Sequence, residues 1–207
     1  MGHTDLWTYV RNLKDLIETL ALLSAVLGFV YWRWYNEKKS WWVWQLTFWP
    51  PKITANLVGN APFVVTLKGL IVNVGFFPKV VSEVGLVLHR LEDEREFEFD
   101  PYALMGQQGF LRTKDGWGND YQELFRPIVV EYKSNFPYNL LFVPVGPADK
   151  RLDRLAAGTY KAVLEFKRPR GKPTCITFSV KVEASDVSGF MEGETPIARL
   201  NRNLPPT

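Results

Sequence analysis

The sequence predicts a mainly β protein: an antiparallel β-sandwich preceded by one long N-terminal α-helix, over 207 residues. Three observations carry this. Residues 1–40 hold an apolar pattern of helical period. From about residue 41 the composition shifts to Val, Phe, Thr and Tyr interrupted by Pro and Gly, which favours strands. Near the end, Tyr160, Ala162, Leu164 and Phe166 alternate with Lys161, Glu165 and Lys167. After a Pro169–Lys172 turn, Ile176, Phe178, Val180 and Val182 continue the same alternation. That is a hairpin with one dry and one wet face, as antiparallel sheets have.

In the helix, Leu6, Val10, Leu13, Ile17, Leu20, Ser24, Leu27 and Tyr31 recur at alternating spacings of four and three. Such a seam lies along one face and pairs with another helix. The first half carries Arg11, Lys14 and Asp15 off the seam, whereas Thr19–Trp32 is apolar all round. Residues 16–32 contain one charge, Glu18, which Lys14 can reach at i−4. Six of the eight tryptophans fall between Trp32 and Trp49. An apolar helix that ends in aromatic residues and meets basic ones reads as a membrane span with an interfacial belt. The transmembrane or interfacial segment is placed at 16–35. The belt comprises Trp32, Trp34, Tyr35, Trp41, Trp42, Trp44 and Trp49, with Arg33, Lys38 and Lys39 beside it. The segment's reach of about 26 Å is slightly short of a hydrocarbon core, and snorkelling by Arg33 and Lys14 would extend it. Arg33, Lys38, Lys39 and Lys52 outnumber Arg11 and Lys14, which puts the C-terminal domain in the cytoplasm. A bulky Tyr31–Tyr35 run without a small-residue cleavage site disfavours a signal peptide.

The β domain is expected over 41–184. Trp41–Trp49 forms the first strand, with Trp42, Trp44, Leu46 and Phe48 on one face and Gln45 and Thr47 on the other. Pro50-Pro51 ends it. Phe63–Ile71 follows, with Gly69 as a bulge or bend. Asn73–Pro78 turns the chain, and Val84, Leu86 and Leu88 line the inside of the next strand. Glu92–Arg95 makes a charged hairpin turn before Phe97 and Phe99. Gly106, Gly109, Gly116 and Gly118 break the rhythm, so 103–127 reads as a long insertion. The stretch 185–207 has no sustained period and reads as a flexible tail.

Leu155-Ala156-Ala157-Gly158-Thr159-Tyr160 looks like the approach to a penultimate strand bearing a tyrosine corner. Leu70–Pro78 followed by Val80–Leu88 looks like the strand–turn–strand of bacterial Ig-like domains. Over about residues 60–184 the chain therefore resembles the bacterial immunoglobulin-like/fibronectin-like β-sandwich superfamily, without the paired cysteines of antibody domains. The resemblance implies a scaffold for binding or assembly, and such a fold does not fix a function.

The net charge of +3 is too small to argue for a nucleic-acid partner. With two histidines and one cysteine, a His/Cys metal site is not expected, nor is a cofactor. The sequence contains no nucleophile elbow, P-loop, dinucleotide fingerprint or zinc-protease helix. His89 falls on a polar strand face and Cys175 on the outside of the last strand. Glu96, Glu98 and Asp100 share one face, which suits a solvated edge, or a glycosidase-like pair if the chain is a hydrolase using 103–127. The stretch Asp115–Asp120 lacks the spacing and closing Glu of a calcium loop. Lys167, Arg168, Arg170 and Lys172 flank the last hairpin turn, while Phe110, Trp117 and Tyr121 sit in the insertion; together these form the candidate partner surface. The expectation is a non-catalytic, membrane-tethered interaction or assembly module, an accessory subunit of a membrane-associated complex. Its partners are the lipid bilayer and, through the seam, a second copy or another protein. The rivals are a soluble assembly subunit with the helix buried against partners, and the hydrolase.

Overall fold

The computed structural model describes residues 3–38, 40–58, 63–75, 77–113, 116–145, 155–193 and 195–200. The chain divides into two compact units, 1–39 and 40–207, each taken by itself below.

The first unit is one helix, α1 (His3–Lys38). Thr19 and Ser24 return their hydroxyls to the helix's own carbonyls, Oγ1 to Asp15 O at 2.7 Å and Oγ to Ala21 O at 2.8 Å. Lys14 and Glu18 pair at 3.6 Å, both exposed, as expected from their spacing. Among the described residues no helix is long and apolar enough to cross a membrane, which corrects the expected single span. The physical reason is the charge that brackets the apolar run: Asp15 and Glu18 on one side and Arg33 on the other leave Thr19–Trp32, about 21 Å, less than a roughly 30 Å hydrocarbon core.

The second unit is an antiparallel sheet that nearly closes on itself. Its strands are β1 (Trp41–Trp49), β2 (Val64–Val72), β4 (Glu83–Arg90), β5 (Arg95–Thr113), β8 (Asn135–Pro144), β9 (Gly158–Lys167), β10 (Thr174–Val182) and β11 (Ile197–Leu200). They run side by side in the order β10-β9-β4-β5-β8-β2-β1-β11, with β6 (Gly116–Leu124) added to β5. Every pairing along this path is antiparallel, so β10 and β11 at its ends point in opposite directions and could close the sheet. Arg199 Nε on β11 already donates to Lys181 O on β10 at 2.8 Å. A separate ribbon pairs β3 (Lys79–Val81) with β7 (Ile128–Val130).

Two packed sheets were expected; apart from the β3–β7 ribbon, the described strands form one continuous hydrogen-bonded sheet. The cause is β5, whose first part pairs β4 and whose middle pairs β8, with a register shift between Pro101 and Ala103. Pro101 has no N–H to give a ladder, so the strand bends there and carries the sheet round the corner. The expected insertion 103–127 is corrected as well: the end of β5 and β6 form a hairpin, irregular between Leu104 and Phe110. The expected tail from 185 is corrected to α3 (Ala184–Met191) and β11. Residues 201–207 lie outside the described residues. Between β1 and β2, α2 (Pro51–Val58) starts with Pro at its first helical position, where no intrahelical N–H is needed.

Strand β1 departs from the expected phase. The register slips between Val43 and Gln45, leaving Trp44 as an extra residue opposite β2. A one-residue bulge reverses the side on which later residues fall. Trp41 and Val43 therefore join Leu46 and Phe48 inside, and Trp44 is exposed. The main core is built from residues 41–197 and contains Phe48, Phe63, Leu86, Phe99, Tyr160, Leu164, Phe166 and Val180. A smaller cluster of Trp49, Ile53, Val64, Ala103, Met105, Phe110 and Leu141 lies beneath α2 and the β5–β6 hairpin.

Candidate interaction surfaces

The seam of α1 is open to solvent. Val10, Leu13, Ile17, Leu20 and Leu27 are between 47% and 60% exposed, and Leu22, Val26 and Phe29 on other faces are exposed too. A free helix that is apolar all round over Thr19–Trp32 needs cover on every side. Leu6 lies outside the described side chains.

The tryptophan belt does not hold together. Trp41 is buried and stacks on Phe166 with ring centroids 4.2 Å apart. Trp49 is buried against Phe110 at 4.6 Å, and its Nε1 donates to Thr66 Oγ1 at 2.8 Å. Both are corrected from belt to core. Their flat rings fill the space under the sheet, an ordinary use for aromatic residues at inward strand positions. Trp42 is half-buried, while Trp32, Arg33, Tyr35 and Trp44 are exposed. Trp34, Lys38 and Lys39 lie outside the described side chains.

The partner surface divides in the same way. Phe110 is corrected to core, whereas Trp117 and Tyr121 lie on β6 outside the described side chains. At the β9–β10 turn, Arg168 Nη2 donates to Lys172 O at 3.0 Å and stiffens the loop, leaving Arg170 and Lys172 exposed. Lys167 donates to Glu83 Oε2 at 3.0 Å across the strands, and this bond, with the charge of Glu83, holds its amine pKa above the ordinary value.

Beside that ion pair lies a cleft of about 450 Å³ whose lining includes Glu83, Gly85, Asp100, Phe125, Arg126, Glu165 and Lys167. Gly85 pairs Glu165 on β9, and Asp100 is one step beyond the Leu86–Phe99 pair on β5. A side chain at 85 would meet nothing within 4 Å, so the glycine leaves a gap in the outer face between two carboxylates. Sequence reasoning singles out Asp100 and Lys167 but misses this gap. A glycine inside strand β4 was the available signal. The charges of Glu165 and Asp100 act on Lys167, the amine already at this cleft, and help hold its pKa up.

Glu96, Glu98 and Asp100 are all exposed along β5, and His89 Nδ1 sits 3.7 Å from Glu96 Oε2 on the neighbouring strand. Cys175 is exposed. No group of acidic, His and Cys side chains able to hold a metal ion occurs among the described residues. No protein-family model and no curated protein matches the chain.

Proposed function

We propose that the chain is a non-catalytic interaction module whose β domain is tethered by α1 to a membrane-associated complex. One observation carries this: a long helix with an apolar surface exposed on all sides. The apolar segment does not cross unaided, so the tether is a dock among the helices and lipid headgroups of that complex. Trp32 and Tyr35 next to Arg33 suit the headgroup level.

Two features support an immunoglobulin-like scaffold for the domain. The neighbours β10, β9 and β4 and the neighbours β8, β2 and β1 follow the strand orders G-F-C and E-B-A of that fold, with β5 bending from one set to the other. Tyr160 at the start of β9 donates its hydroxyl to Ala156 O at 2.8 Å, as a tyrosine corner does. Burial pushes the Tyr160 pKa up, with the bond to Ala156 opposing.

A second reading, a soluble assembly subunit with α1 buried by partners, is favoured by the lack of a spanning helix among the described residues. Fractionation separates the two. The tether expects the full chain in the membrane pellet after a salt wash, and Leu22→Glu with Phe29→Glu moving it to the supernatant. A detergent-free, monodisperse soluble oligomer would overturn the tether in favour of the assembly subunit.

A further inference from the structure

The seam residues differ in kind as well as position. Counted as heptads, Leu13, Leu20 and Leu27 occupy d, and Val10 and Ile17 occupy a. Leu at d with β-branched residues at a is the preference of parallel two-stranded coiled coils. The flanks agree. Leu16 and Leu23 stand at g, and Ala21 and Gly28 at e, so in a parallel pair each large g residue meets a small e residue of the other helix. An antiparallel pair would set leucine against leucine and leave Ala21 and Gly28 facing gaps. Space at Gly28 is open, with nothing within 4 Å of where a Cβ would stand.

Ser24, the polar residue at a, already gives its hydroxyl to Ala21 O at 2.8 Å. Closing the seam over it strands no donor, and a lone polar a residue helps fix register. On the reverse side, Arg11, Asn12, Asp15 and Glu18 keep the first half wet, whereas Leu22, Ala25, Val26, Phe29 and Trp32 leave the second half apolar. Over three heptads every d and g position and every a position but Ser24 is apolar, a seam long enough to approach the roughly 1,000 Å² that a specific interface needs.

We infer that α1 pairs in parallel and in register with α1 of a second copy of this chain, through the seam from Val10 to Tyr31. This rests on the reading of α1 as a docking helix and names its partner; the reverse face from Leu22 to Trp32 stays free for the tether.

The test uses the full chain with Cys175→Ser and one introduced cysteine at a time, under mild oxidation. Facing d positions of a parallel pair come close enough for a disulfide. Leu13→Cys and Leu27→Cys, at opposite ends of the seam, should each double the 23.8 kDa chain mass on a non-reducing gel. Leu22→Cys on the reverse face should stay monomeric. Sedimentation of the unoxidised chain should give two copies. Cross-linking equal at 13, 22 and 27, a joint product of the Leu13→Cys and Leu27→Cys chains in preference to either alone, or a mass above two copies would overturn the pairing. A monomer that still pellets with membranes overturns the pairing and spares the tether; a soluble monomer overturns both.

Discussion

Gly69 on β2 sits where three features of the fold meet. Close to the bulge at Trp44, Tyr138 reaches over Gly69 to donate its hydroxyl to Trp42 O at 2.8 Å. A Cβ at 69 would lie 2.0 Å from Trp42 O and 2.3 Å from the Tyr138 hydroxyl, so only glycine fits. Gly69→Ala should therefore destabilise the domain by about 3 kcal/mol or more, since both the backbone and a buried hydrogen bond must shift. Tyr138→Phe removes only the hydroxyl and should cost about 1–2 kcal/mol. Urea unfolding of both variants checks the order; Gly69→Ala milder than Tyr138→Phe would refute this account of the crossing. Burial drives the Tyr138 pKa far upward, so the phenol stays protonated and this bond holds well into alkaline pH. The special place of Gly69 is legible in the sequence, because a glycine inside an apolar strand marks a bulge or a close approach of another chain segment. The bulge itself is not legible, because Trp44 among neighbouring tryptophans carries no compositional mark.

The closing elements α3 and β11 show why the 185–207 segment reads as a tail in the sequence. Few of their side chains reach the core: among the described residues Phe190 and Ile197 supply the buried anchors, and neither falls in a periodic run. Local polar bonds do the rest. The Asp186 carboxylate accepts from the Glu183 N–H at 2.7 Å and pairs with Arg199 on β11. This bond to the Glu183 N–H, then Arg199, hold its pKa below the usual 3.8, against the opposing effect of burial. A depressed carboxyl contributes stability that is present above its unfolded value and lost as pH falls through its folded value. Asp186→Asn should thus cost about 1 kcal/mol at pH 6, and the gap to wild type should narrow in strong acid, below the folded value. Paired denaturation curves at the two pH values measure this; a gap constant with pH would show that the charge does not hold α3 to β11. Hairpins with strict alternation are legible by contrast. The pairing of β9 with β10 matches the dry and wet faces read from residues 160–182, because each inward residue there is apolar and the turn is marked by Pro and Gly. The β5–β6 hairpin is not legible, since its glycines and two register shifts erase the alternation.

For the whole molecule, both hydrophobic clusters are complete within residues 41–197. Among the described residues the core of the second unit thus draws on that unit alone, and the described side chains of α1 are exposed. Ser40 marks where the boundary must fall: it is buried, and its carbonyl accepts from the Val72 N–H at 2.7 Å. A chain beginning at Ser40 should keep the sheet and its cooperative unfolding, with a melting temperature within about 4 °C of the full chain, the shift expected from a change under about 1 kcal/mol. The same chain should lose membrane association and run as a monomer, because every residue proposed for docking has been removed. Starting two residues later, at Trp42, should cost more than the whole helix does. That cut deletes the Ser40 acceptor and the Trp41 ring that stacks on Phe166, a loss of about 3–5 kcal/mol for a buried tryptophan. Calorimetry and sedimentation on the two truncations test this together. If the Ser40 chain unfolds tens of degrees lower, α1 belongs to the fold of the domain and its apolar faces are core, which would remove the basis for any docking role.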